Sequence, residues 1–406
     1  MATKAKRKKT TQVVNTTAIA GDLFRPASAG NNGKVWGWGE DNLFPQRLAR
    51  LAQSNAIHRG IINSKANYIS GRGFAYDEKN IALQRVVERA NGSQSLSQVV
   101  QRVVYDKVLT GNAFIEVVFA YGQLLFFHQD CTRCRIVKGA EDNRVIISKD
   151  WRNHLTEYDI ELPIFPLFEQ QADGTSRSII HIKDYEPMYE HYGVPEYVAG
   201  LSAARIGYKT ANWNEQRLDN SFQLSGVMEV VSDTNDEEEL AKLKRNIEQK
   251  FAGKPGQVLF TVSNEAGSSN FTPISSANEG DWSMLHNISK NDMVTAHSWY
   301  ISLSGLDYTT GISSDRMLNE YSVALATIIK PEQATIIEML VAAMAKVGID
   351  GSSLEFINKP PIIEKPIYLK IWEARKADGL EYDETDPEQN VYLANIGKTN
   401  NPQSNE

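Results

Sequence analysis

Across residues 194–222 apolar side chains return every three or four positions: Tyr197, Leu201, Ala204, Tyr208, Ala211, Leu218 and Phe222, with Glu215 in the one polar slot. That is a helical period, and it predicts a rod of about seven turns, roughly 40 Å long at 1.5 Å per residue. Tyr192-Gly193 breaks the chain before it, and Pro195 stands where the first turn of a helix takes proline. The opposite face is polar, with Arg205, Lys209, Asn212, Asn214, Gln216, Arg217, Asp219 and Asn220. A second helical pattern covers 282–303 and carries Trp282, Leu285, Ile288, Met293, Trp299 and Tyr300. A third covers 314–347, where Pro331 removes a backbone donor and is expected to kink the helix.

Between the first two rods the pattern changes. Residues 225–231 read as a strand, Asp233-Thr234-Asn235-Asp236 supplies N-cap residues, and 237–251 reads as a short amphipathic helix closed by Gly253. Residues 257–262 and 270–274 read as two further strands. A small α/β unit is therefore inserted between two long helices. The second and third helices are joined by a loop. In it Gly305 and Gly311 bracket Asp307, Tyr308, Thr309 and Thr310, and the two glycines are expected to let the loop change shape cheaply.

Upstream, residues 45–68 read as a helix through Leu48, Leu51, Ile57, Ile61 and Ile62, ended by Gly71 and Gly73. Residues 94–109 read as another, through Val99, Val100, Val103, Val104 and Val108. Then 114–120, 123–127, 135–137 and 145–148 alternate as strands of one antiparallel sheet, with Tyr121-Gly122 as a hairpin turn and 179–183 as a further strand. Downstream, 354–357 reads as a strand before Pro360-Pro361, and a short helix near 368–378 precedes a polar tail.

This order resembles the portal protein of tailed double-stranded DNA bacteriophages. Further stretches carry the likeness: Trp36-Gly37-Trp38-Gly39, Asn42-Leu43-Phe44-Pro45, Ile69-Ser70-Gly71-Arg72-Gly73-Phe74, Leu109-Thr110-Gly111-Asn112-Ala113-Phe114-Ile115-Glu116 and Tyr192-Gly193-Val194-Pro195. The resemblance covers roughly residues 35–370. It implies an α+β protomer: a basic arm (1–34), a discontinuous wing beginning at 35–193, a stem helix (194–222), a clip (223–276) and a second stem helix (277–302). A tunnel loop (303–313), a kinked helix returning to the wing (314–370) and a short crown or tail (371–406) complete it. It also implies a ring of twelve at a capsid vertex of the virion, assembled in the host cytoplasm, through which double-stranded DNA is packaged and ejected. Terminase large subunit, major capsid protein and a head–tail adaptor would be its partners. Gly305, Asp307, Tyr308, Thr309, Thr310 and Gly311 would meet DNA in the tunnel loop. Glu215, Asp219, Asp281 and Asp292 would face the channel from the stem.

Bulk properties fit this picture. The 406 residues suffice for two or three compact units. Net charge is −7, against the basic surplus of a protein that grips phosphate. An acidic lining instead repels DNA and keeps it sliding. No apolar run is long enough to cross a membrane, and no signal-peptide core follows the basic N-terminus, so a reducing cytoplasm and no membrane partner are expected. Lys4, Lys6, Arg7, Lys8 and Lys9 mark an aperiodic arm, suited to a solubilising tail or to contact with nucleic acid or an acidic partner.

Catalytic and metal signatures are missing, so neither a cofactor nor a metal is expected. Cys131 and Cys134 are the only cysteines and cannot complete a zinc site, and they read as reduced structural thiols. His58, His128, His181 and His191 read as core or surface residues. Gly397-Lys398-Thr399 lacks the glycine and the helix of a phosphate loop, and the acidic run 383–388 has Pro387 where a calcium loop needs glycine. Two rivals stay open: a tail or baseplate structural protein, and a cytoplasmic enzyme using Cys131 and Cys134 or the acidic tail.

Overall fold

The computed structural model describes residues 31–139, 143–219, 226–231, 242, 245, 258–263, 270–273, 279–306, 314–361, 369–377 and 380–392. The chain opens with a short hairpin of β1 (Asn31–Asn32) and β2 (Val35–Trp36). Helices α1 (Phe44–Ser54) and α2 (Ala56–Ser70) follow where the periodicity predicts one helix over 45–68. Asn55 divides them. Its backbone is extended, at φ −125° and ψ 110°, and its side chain accepts the His58 N–H at 3.0 Å, capping α2. The glycines after α2 hold β3 (Phe74–Ala75). Helix α3 (Ile81–Glu88), absent from the sequence reading, is capped by Asn80. Helix α4 (Leu96–Thr110) begins in a capping box of Ser95 and Gln98.

Strands β4 (Asn112–Ala120) and β5 (Gln123–Gln129) form the expected hairpin, with Tyr121 and Gly122 both at positive φ. Then come β6 (Cys134–Ile136), β7 (Arg144–Ile147), β8 (Ile160–Pro163), β9 (Glu169–Gln170) and β10 (Ser176–Lys183). These strands make two sheets, β5-β4-β10-β9 and β6-β7-β8, rather than the single sheet expected. A 3₁₀ turn at Cys131–Arg133, capped by Asp130 on the Thr132 N–H, redirects the chain after β5 and starts the second sheet. Strand β4 is buried on both faces from Asn112 to Val118, packing Phe114, Ile115 and Val117 with Val99 and Val103 of α4 in one core.

The second half begins with a 3₁₀ turn at Glu196–Gly200, so the first rod becomes α-helical only at α5 (Leu201–Asp219), later than the expected 194. Strands β11 (Gly226–Val231), β12 (Val258–Ser263) and β13 (Asn270–Pro273) form a small mixed sheet in which β11 is parallel to β12 and antiparallel to β13. The helix expected over 237–251 lies almost wholly outside the described residues. Helix α6 (Glu279–Ala296) ends before the expected 303, because Ser298 takes a positive φ and Trp299 turns into the core, where its indole N–H donates to Ser64 Oγ at 3.1 Å. A single turn, α7 (Ile301–Ser304), follows.

The third helix is expected to be disturbed at Pro331, and the disturbance is a π turn. Helix α8 (Ser314–Ala324) runs into π geometry at Leu325–Ile329, where the Lys330 N–H reaches back five residues to the Leu325 carbonyl. Helix α9 (Lys330–Lys346) then resumes with Pro331 in its first turn, where no donor is missed. Lys107 of α4 fixes α9 to the first half. It pairs with Asp184 and, at 2.6 Å, with Glu332. Burial alone would lower the Lys107 pKa, but the two carboxylates outweigh it and hold it above its ordinary value. Strand β14 (Glu355–Phe356) pairs with β3, bringing the Phe356 ring against Phe74, and α10 (Ile371–Ala377) is the last described helix.

The motifs singled out in the sequence meet at one junction. Asn112 Nδ2 donates to the Gly193 carbonyl at 2.8 Å, and the Gly193 N–H donates to Asn112 Oδ1 at 2.8 Å. Gly111 sits at φ 71°, and a Cβ there would lie 2.5 Å from the Val194 carbonyl carbon. A Cβ on Gly193 would lie 2.2 Å from the Gly111 oxygen. Only glycines allow this approach. Around it, Trp38 stacks on Tyr192 and Trp36 on His191, while the Tyr192 hydroxyl donates to the Trp36 carbonyl at 2.8 Å. Arg135 is fully buried between Trp38 and Trp151, with no ion pair to a carboxylate among the described residues. Its guanidinium donates to Asn42 Oδ1 and to the Asn42, Thr132 and Cys134 carbonyls, and burial lowers its pKa to about 10. It therefore stays charged at neutral pH, held by carbonyl dipoles and two indole faces.

Replacing Asn112 with Ala removes both buried bonds to Gly193 and leaves a buried N–H and C=O unpaired. The expected cost is about 2–4 kcal/mol, read as a lower urea midpoint. Gly111→Ala is expected to cost at least as much, because strain at positive φ adds to the clash.

Candidate functional site

The two rods run antiparallel, with Gly200 against Ala296 and Gly207 against Ser289. A Cβ on Gly200 would lie 2.6 Å from that of Ala296, so glycine sets the close approach. Ser289 Oγ donates to the Ala203 carbonyl at 2.6 Å across the pair. Asn55 Nδ2 donates to the Ala204 carbonyl at 2.8 Å, so the residue that caps α2 also holds α5.

Below the rods lies a buried aromatic knot. His58 Nδ1 and His297 Nε2 are 3.0 Å apart and share one hydrogen bond. Tyr197 stacks on His297, meets His58 edge-on and donates its hydroxyl to the Leu109 carbonyl. Burial drives His58 down to about 4 and His297 well below its ordinary value, so both rings are neutral. Lys65 reaches from α2 to the His297 carbonyl at 3.0 Å and to the Glu196 carboxylate.

Higher up the rods the expected stripe leaves the core. Tyr197, Leu201 and Ala204 are buried, whereas Tyr208 and Ala211 are exposed. On α6, Met284 is 65% exposed, Leu285 40% and Ile288 45%. Among the described residues nothing covers these three apolar side chains. Of the four acidic candidates, Glu215 and Asp292 are exposed, and the side chains of Asp219 and Asp281 lie outside the description. The antiparallel register carries Glu215 level with Asp281. Asp292 lies near the base, about 16 Å down the rod from Asp281.

The loop between the second and third helices is described only at its ends. Gly305 is the left-handed C-cap of α7, at φ 68° and ψ 20°, with its N–H on the Ile301 and Ser302 carbonyls. It thus closes a helix rather than lying free in a loop, as the sequence reading had it, and Leu303 before it is buried in that helix. Lys290 Nζ donates to the Leu306 carbonyl at 2.8 Å, Ser64 Oγ donates to the Leu303 carbonyl at 2.7 Å, and Ser302 binds Glu320 of α8. The leading end of the loop is thereby fastened to α6 and α2, and α7 is tied to α8. Asp307, Tyr308, Thr309, Thr310 and Gly311 lie outside the described residues.

Cys131 and Cys134 are free and fully buried, and burial pushes both thiols well above their ordinary pKa, the opposite of a reactive cysteine. Asp106, Asp130 and Cys131 bring ligand atoms within 4.8 Å of one another. The Asp106 carboxylate already accepts from His128 at 2.8 Å and from the Cys131 N–H at 3.0 Å, so it serves as an internal acceptor. Sequence reasoning missed Asn55, Ser289 and His297. The N-cap preference of Asn between two apolar periods was the available signal for the first; a histidine pair made across 239 positions leaves none.

Comparison with known proteins adds identity to this geometry. The family model described as "Phage portal protein" matches residues 68–292. A curated "Probable portal protein" of Haemophilus phage HP1 is 24% identical over 264 residues, 64% of this chain and 68% of that protein. Among solved structures, "Neck of empty GTA particle computed with C6 symmetry" superposes with a TM-score of 0.52 at 16% identity, over 87% of this chain and 97% of that one. "Neck of native GTA particle computed with C12 symmetry" gives 0.50 over the same shares. At such identity the likeness is one of fold.

The histidine knot sets a pH dependence. Both rings titrate near 6.5 when unfolded and lower when folded. Between about pH 6.5 and 4 the unfolded chain therefore takes up protons that the folded chain refuses. Stability is whole above 6.5 and falls with pH, by up to roughly 1.4 kcal/mol per unit for each histidine. Urea midpoints at pH 7.5, 6 and 5 should fall in that order, with a shallower decline in a His58→Phe variant; equal slopes in the two proteins would refute the assignment.

Proposed function

Because this chain belongs to the phage portal protein family, we propose that twelve copies close side by side into its ring at one vertex of a viral head, with α5 and α6 as stem. Proteins of this family make the channel through which DNA is packaged and ejected, and the platform on which the machinery of packaging and head completion docks. The family is structural rather than enzymatic. One observation supports the ring most directly: Met284, Leu285 and Ile288 stand bare on α6 in an isolated chain. A neighbour's rods would cover them, as apolar patches on oligomer protomers are covered.

Within this reading, residues 35–193 with the returning 314–370 form the wing, 194–222 and 277–302 the stem, and 223–276 the clip. The clip sheet has three described strands, and a neighbour would extend it. Terminase large subunit would dock on the clip, the major capsid protein would surround the stem, and a head–tail adaptor would follow terminase. The ring would assemble in the host cytoplasm and end at the portal vertex of the virion. Glu215, Asp219, Asp281 and Asp292 would line the stem channel with negative charge, and Asp307, Tyr308, Thr309 and Thr310, between Gly305 and Gly311, would form the narrowest collar around double-stranded DNA. A lining of hydroxyls and carboxylates lets phosphate slide rather than stick.

Two measurements bear on this. Mass photometry of the purified chain should give closed rings of several hundred kilodaltons, and Met284→Ser with Ile288→Ser should shift the population to monomers without unfolding it. A variant that remains fully assembled would remove the rods from the seam. In the collar, Asp307→Lys with Thr309→Lys should leave rings intact while slowing DNA passage in a packaging reaction; unchanged packaging would make the loop a mere connector.

A further inference from the structure

On the flank of α5 turned toward α1, seven residues line a groove of about 410 Å³: Arg47, Arg50, Leu51, Ser54, Arg205, Tyr208 and Lys209. Four are cationic and none is acidic, in a chain of net charge −7. Helical spacing makes the cluster. Arg47 and Arg50 lie one turn apart on α1, and Arg205 and Lys209 one turn apart on α5. Arg47 pairs with Asp41 at the edge, while Arg50 and Lys209 point into solvent and enter no described ion pair. The floor between them is apolar, formed by buried Leu51 and the half-open ring of Tyr208.

We propose that this groove docks an acidic peptide segment of a partner protein, with an aliphatic side chain seated on Leu51 and Tyr208 and carboxylates on Arg50 and Lys209. The composition chooses this occupant. Arg50 and Lys209 present exposed positive charge from two helices to the same groove, and a carboxylate-bearing ligand would form charge-assisted bonds with both. A phosphodiester strand would meet the cations but has no aliphatic group for the floor. An apolar helix would cover the floor but offer no carboxylate to Arg50 and Lys209. An acidic segment with apolar residues at helical or alternate spacing satisfies both layers. The groove is lined by α1 and α5 residues, whereas the seam proposed above rests on Met284, Leu285 and Ile288 of α6.

The experiment uses assembled rings and fluorescein-labelled peptides read by anisotropy: a 15-residue Glu/Leu peptide, its Gln/Leu and Glu/Ser counterparts, and a short DNA duplex. The Glu/Leu peptide should bind, more weakly as salt rises. Both counterparts should bind at least about tenfold worse, which is 1.4 kcal/mol or more. Arg50→Glu with Lys209→Glu should abolish the binding while leaving ring size unchanged. Should that pair disturb folding, Arg50→Gln with Lys209→Gln carries the same expectation at reduced amplitude. Equal binding of the Glu/Leu peptide to wild type and to a folded variant overturns the proposal. Loss of duplex binding alone makes the groove a phosphate site, and loss of rings alone makes its occupant a second copy of this chain; either result overturns the proposal as well. Monomeric wild-type protein that still binds the peptide through Arg50 and Lys209 would sink the ring and leave the groove standing.

Discussion

The double hydrogen bond between Asn112 and Gly193 fixes where everything else can go. It joins the first residue of the central strand to the last break before the first rod, using one side-chain amide as both donor and acceptor. With Gly111 and Gly193 in near backbone contact, there is no slack for the rod to tilt at its root. His181 adds a third partner, 3.0 Å from the same amide oxygen, and burial holds that ring neutral, with a pKa of about 3. A residue bonded on three sides inside a core is more constraining than any number of surface ion pairs.

Above that root the architecture is uneven. The base of the rod pair is dry and closely packed, with glycines and a serine setting the helix spacing. Farther out, side chains of the same helical stripe stand in water. In the ring proposed above, other copies would cover the bare side chains of α6, as in a protein whose working form is an assembly.

What could be read from the sequence follows from the range of the forces involved. Long helices, the hairpin at Tyr121-Gly122 and the strand at 355–356 are local or strongly periodic, and the α+β portal-like fold was legible through them. The short motifs were legible as a likeness, but their physical meaning was not. Trp36-Gly37-Trp38-Gly39 makes sense only once His191 and Tyr192 are stacked on it. The division at Asn55, the second sheet and the early end of α6 went unread because each is decided by a distant partner: the Ala204 carbonyl, the turn at Cys131–Arg133 and the Ser64 hydroxyl. The four acidic positions were named through the likeness alone; the structure puts Glu215 and Asp292 at the surface, although Glu215 falls on the apolar stripe of the sequence period. The loop residues beyond Leu306 had only the bracketing glycines to mark them.

The π turn at Leu325–Ile329 has a consequence for how this chain can vary. One backbone bond there spans five residues instead of four, so the turn holds one residue more than an α-helix would. Each residue in an α-helix advances the face by about 100°. Tyr321 and Ala324 before the turn and Ile336 and Leu340 after it are all buried, and the wide turn is what phases the two halves to one core. Loss of a single residue at this point would place Pro331 inside an ordinary α-helix, where its ring clashes with the carbonyl four residues back, and would swing Glu320 off Ser302. The helix is in this sense a spliced axle, and its insertion point, more than any side chain along it, sets the angle at which α8 meets α7.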